Sequence, residues 1–119
     1  MIVLPFPPAI LSGHATAGQN WKKIAATRQY REFGKLATKE AGERVAGEGD
    51  IHLHITFYPP DRRGDRINFP ARMKPLIDGI ADALGVNDVR FLPSYHFHAP
   101  EKPGRVEVRI NPTTQPEEA

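Results

Sequence analysis

The stretch DIHLHITFY, Asp50 to Tyr58, alternates apolar and polar residues without a break. Ile51, Leu53, Ile55 and Phe57 fall on one side of an extended chain; His52, His54, Thr56 and Tyr58 fall on the other. This is a half-buried strand, and it commits the chain to a sheet with one covered face. Gly47 and Gly49 break the chain before it, and Pro59 and Pro60 stop it.

The other elements are read around that strand. Met1 to Phe6 is a short apolar run closed by Pro5, Pro7 and Pro8, which suits a first strand. Ala9 to Asn20 is small, polar and glycine-containing, as a loop would be. Ile24, Tyr30, Phe33, Leu36 and Ala37 recur at helical spacing and predict a helix over roughly 26–45, which Gly34 weakens. A second helix is expected over roughly 69–84, with Asn68 as its cap and Pro70 in its first turn. Its apolar stripe is Leu76, Ile77, Ile80, Ala81 and Leu84, and Gly85 ends it. Pro75 requires either a kink or a start at that point, after a short irregular piece. Ser94–His98 and Arg105–Ile110 read as two strands joined by the turn APEKPG. The order strand, helix, strand, helix, strand, strand predicts a small α+β fold: a mixed sheet of about four strands with two helices on one side.

The chain has 119 residues, 39% of them hydrophobic, which suits one small domain over 1–110 with a modest core. A dimer that buries more apolar surface fits such a core. The polar segment Asn111–Ala119 is expected to be a disordered tail. Without cysteine there are no disulfides and no thiolate metal sites. No apolar run approaches the roughly 20 residues that span a bilayer. MIVLPFPP is too short for a signal peptide and lacks a basic start, so a cytoplasmic location is expected. The net charge of +2 is too mild to identify a partner, so the placement of charge matters more.

That placement is uneven. PDRRGDRINFPARMKPLIDG, Pro60 to Gly79, crowds Arg62, Arg63, Arg66, Arg72 and Lys74 around Asp61, Asp65 and Asp78, where a strand hands over to a helix. Carboxylates at a strand end suit Mg²⁺, which prefers hard oxygen ligands. Metal-bound water is a nucleophile, and arginines hold phosphates by forked hydrogen bonds. A return of the chain after the second helix could bring Asp88 near Asp65. The plainer reading of such a turn is solvated surface.

The chain resembles the RusA family of Holliday junction resolvases. The resemblance runs from LPFPP (Leu4 to Pro8) through Tyr30-Arg31 and the strand ending in PP-DRR. It peaks at DRIN, Asp65 to Asn68, and continues to Asn87-Asp88 and GRVEVRI. It implies a homodimer that binds four-way DNA junctions and cuts them with Mg²⁺, or Mn²⁺ in its place, held by aspartates. Carried over by position, it implies metal ligation by Asp65 and Asp88 and a catalytic role for these two with Asn68. The family motif reads Asp-x-Asp-Asn, a lysine, a helix, then Asp-Asp. Here Ile67 replaces the second aspartate and Asn87 the first of the later pair. The lysine position falls on Ala71, leaving Arg72 or Lys74 to substitute. At Ile67 one expected ligand carboxylate is missing, and Asp61 or Asp78 would have to compensate. A catalytically weakened junction-binding protein is the alternative.

Trp21, Lys22, Lys23, Arg28, Tyr30, Arg31 and Lys35 interleave rings with cations, as phosphate-contacting helices do; an amphipathic helix with solvated cations has the same pattern. Lys22, Lys23 and Arg31 join Arg62, Arg63, Arg66 and Arg72 as expected DNA contacts. Phe69 is either core or a wedge into an opened junction. His52, His54, His96 and His98 could gather into a zinc site if their strands were neighbours; otherwise they are polar residues on the open face of the sheet.

Overall fold

The structure is a computed structural model that describes residues 1–12 and 20–111. Its strands are β1 (Ile2–Leu4), β2 (Ile51–Tyr58), β3 (Phe91–Phe97) and β4 (Arg105–Ile110). Its helices are α1 (Asn20–Glu40) and α2 (Lys74–Leu84). This is the expected small α+β fold, with a mixed four-stranded sheet in the order β1-β4-β2-β3.

The alternation in β2 is the axis of the core. Ile51, Leu53, Ile55 and Phe57 are all buried, beside Ile2, Leu4, Val106 and Val108 from the strands paired around them. Phe69, Met73, Leu76 and Ile80 close the core from the helix side. The opposite face of the sheet carries His52, His54, Thr56 and Tyr58, in register with Arg109, Glu107 and Arg105 of β4 and with Leu92, Ser94 and His96 of β3.

β3 and β4 do not form a hairpin. β3 lies parallel to β2, with Ile55 opposite Tyr95, while β4 inserts antiparallel between β2 and β1, with Val108 opposite both Ile55 and Ile2. A parallel neighbour requires a crossover, and α2 supplies it. The chain leaving β3 must then pass over the end of β2. It does so through the turn at Glu101–Gly104, whose Glu101 N–H donates to Pro59 O at 2.9 Å. Gly104 has φ +92°, and a Cβ there would lie 2.9 Å from Pro60 Cδ.

The helix limits also move. α1 starts at Asn20 and stops at Glu40, because Gly42 at φ +70° lets its N–H return to Lys39 O. Ile24 and Leu36, expected on its inner face, are 47% and 53% exposed. The inner face instead carries Gly34 and Thr38, with Tyr30, Phe33 and Ala37 half-buried. The second helix begins as a 3₁₀ turn, Pro70–Met73, and becomes α-helical at Lys74, with Pro75 tolerated in its first turn. Asn68 does not cap it: Asn68 ends an earlier 3₁₀ turn, Arg66–Asn68, and Met73 takes the cap position. Residues 13–19 of the expected loop and 112–119 of the expected tail lie outside the described residues.

Candidate functional site

Past Pro60 the chain makes two tight turns. Asp61 accepts the Arg63 N–H at 2.8 Å and its guanidinium at 2.9 Å, which holds the Asp61 carboxyl below its ordinary range. Gly64, at φ +89°, redirects the chain, and Asp65 caps the Arg66–Asn68 turn by accepting the Ile67 N–H at 3.0 Å. Asn68 is exposed, and its N–H donates to Asp65 O at 2.9 Å. Arg62 and Arg66 are exposed and form no ion pair among the described residues. Arg72, expected at DNA, turns inward. Its guanidinium packs 5.0 Å from the Phe69 ring and donates to Pro7 O at 3.2 Å, and burial lowers its pKa. Phe69 is 2% exposed and belongs to the core, which removes it as a wedge.

On α2 the charges organise around Lys74. Its ammonium donates to Asp78 Oδ1 at 2.8 Å, one turn along the helix, and to the carboxylate of Asp88. Asp88 opens another 3₁₀ turn, Asp88–Arg90, capped by Asn87. Asp78 and Asp88 raise the Lys74 pKa, and Lys74 in turn holds Asp88 below its ordinary carboxylate value. Lys74 and Asp88, separate candidates in the sequence, are thus in direct contact. In a pocket that Asp78 and Asp88 also line, Arg31 of α1 grips Asp82 with two hydrogen bonds, at 2.7 and 2.9 Å, and lowers the Asp82 pKa. Arg31 therefore ties α1 to α2, which no local pattern announces across 51 positions. The spacing of Lys74 and Asp78, by contrast, was readable as an i,i+4 pair. Lys22 and Lys23 lie on the first turn of α1, with Lys22 5.8 Å from the Trp21 ring.

Asp65 accepts the N–H of its own turn, and Asp88 bonds Lys74. Among the described residues, no three His, Cys, Asp or Glu side chains group as a metal site. Lys74 bridges Asp78 and Asp88 and offsets one of their two charges.

The histidine strands are neighbours, yet the four imidazoles do not converge. His54 and His96 stack face to face, centroids 3.8 Å apart and planes 9° from parallel, while His98 packs on Tyr58 at 4.5 Å. Stacked rings point their lone pairs alongside one another rather than at a common ion. The zinc expectation is set aside on that geometry. Tyr58 also carries the Arg105 guanidinium, 3.8 Å from its centroid.

No helix among the described residues is long and apolar enough to cross a membrane. The chain is similar to an uncharacterized protein of Xylella fastidiosa, 40% identical over 96 residues, which cover 76% of this chain and 61% of that protein. The chain thus spans about three fifths of the length of that relative. No family model matches it.

Proposed function

We propose that this chain is a RusA-type, structure-selective DNA endonuclease that works as a homodimer on four-way junctions in the cytoplasm. The observation that carries the reading is the contact of Lys74 with Asp88, on the same stretch of chain as the exposed turn that holds Arg62, Arg66 and Asp65. Exposed guanidinium groups suit the phosphate backbone, and neutralising it supplies most of the affinity for DNA. Hydrolysis adds a water oxygen to phosphorus and breaks one ester P–O bond, and the departing alkoxide must gain a proton. Lys74, an ammonium held charged by two carboxylates, is the group placed to offset that developing charge. Asp88, kept ionised by Lys74, orients it. A divalent ion would supply the activated water in such an enzyme, and Asp65 and Asp88 are the residues that would hold it.

A labelled synthetic four-way junction with Mg²⁺ or Mn²⁺ tests the reading. Paired nicks near the branch are expected, with Asp65→Asn and Asp88→Asn each lowering the rate at least about 100-fold. Junction cutting by Asp65→Asn at the wild-type rate would remove the assignment.

A second reading rests on Ile67, which is 84% exposed where the resemblance expects a carboxylate. In that reading the chain binds junctions and cuts them weakly. A large gain in cleavage per bound junction in Ile67→Asp favours it; an unchanged rate opposes it.

A further inference from the structure

Among the described residues, the two most exposed large hydrophobic residues are Ile67, at 84%, and Val89, at 79%. They occupy equivalent places. Each sits at the second position of a short 3₁₀ turn, and in each turn the capping side chain accepts that residue's own N–H: Asp65 takes Ile67 N–H at 3.0 Å, and Asn87 takes Val89 N–H at 2.9 Å. The caps hold both turns stiffly. The second is held further by Arg90, which donates to Gly47 O and Gly49 O. Both turns border the start of α2: the first leads into it through Pro70–Met73, and Asp88 of the second bonds Lys74.

Each side chain stands open to solvent on a turn fixed by its cap. Their surroundings indicate the partner. Arg62, Arg63 and Arg66 flank Ile67, with Arg62 and Arg66 unpaired among the described residues. A second copy of this surface would bring like charges together, whereas a polyanion would neutralise them. Isoleucine and similar apolar side chains enter base steps as wedges, and flanking cations then hold the phosphates.

We infer that Ile67 and Val89 are apolar wedges that part base steps of bound DNA beside the Lys74–Asp88 contact. This rests on the DNA-binding reading above. It moves the wedge from the buried Phe69 to two side chains that can reach a partner. The wedges open the stack, and the arginine turn holds the displaced backbone.

The test uses the full chain with a four-way junction and a duplex of the same arms, each carrying 2-aminopurine next to the branch or at the matching duplex step. Wild-type protein should raise 2-aminopurine emission on the junction. Ile67→Ala combined with Val89→Ala should at least halve that rise at saturation and weaken junction binding by about tenfold. Melting temperature should be unchanged, because both side chains are exposed. A double variant that binds and brightens the junction as the wild type does overturns the inference and leaves the DNA reading standing. Unchanged brightening with loss of self-association in sedimentation velocity also overturns it, by assigning the tips to a second copy. Wild-type protein that binds neither DNA overturns the DNA reading and the wedges together.

Discussion

Lys74 shows how little of a charged side chain's role its sequence position fixes. It lies one turn from Asp78 and 14 residues from Asp88, and its ammonium serves both. The pairs are exposed, so they contribute little to stability; their effect is on charge state. Lys74 lowers the Asp88 pKa from its ordinary 3.8. A depressed carboxyl contributes its stabilisation above 3.8 and loses it as pH falls through the folded value. Carboxyl titration by NMR should therefore place Asp88 below 3.8 in the wild type and higher in Lys74→Ala; an unmoved Asp88 would break the assigned contact. Arg72 gives the contrary lesson. It stands in the same basic run as Arg66, yet its guanidinium is enclosed by Phe6, Phe69 and Pro7 O. Arg72→Ala should lower thermal stability more than it weakens DNA binding, and Arg66→Ala the reverse.

Between elements, the closest approach is made by glycine. A Cβ on Gly34 would lie 2.3 Å from Leu76 O, and one on Gly79 would lie 2.0 Å from Arg31 O. Both obstacles are backbone, so α1 and α2 would have to move apart. Gly79→Ala should cost about 2–3 kcal/mol by overpacking, read from denaturant melts; a variant as stable as the wild type would contradict the crossing. In the sequence Gly34 reads only as a weak spot in a helix, because close approach belongs to the pair of helices. At the sheet edge, β3 meets β2 through the His54–His96 stack. Burial, His96 and Arg109 lower the His54 pKa from 6.5. The fold then prefers neutral His54, so stability holds above 6.5 and falls as pH drops through the lowered value. Amide exchange in β3 should quicken as pH falls below 6.5 in the wild type, and less so in His54→Gln.

At the scale of the molecule, the sequence made legible what depends on near neighbours. The alternation of β2, the apolar stripe of α2 and its Gly85 stop all have periods a few residues long. What it hid depends on topology. β3 lies parallel to β2 on one side and β4 antiparallel on the other, so the turn between β3 and β4 crosses the end of β2. The same holds at the site. Lys74 and Asp88 were separate candidates that the return of the chain joins, and Arg31 found Asp82 across two helices. Asp65 and Asp88, paired in expectation, bond to different neighbours.

The function proposed for this surface is selection of branched DNA, and the most direct test is competition between a four-way junction and a duplex of equal length and sequence, in EDTA so that cleavage does not intervene. The junction is expected to bind at least about 100-fold tighter, with both affinities falling steeply as salt rises. Equal affinity for the two, or binding to neither, would contradict it.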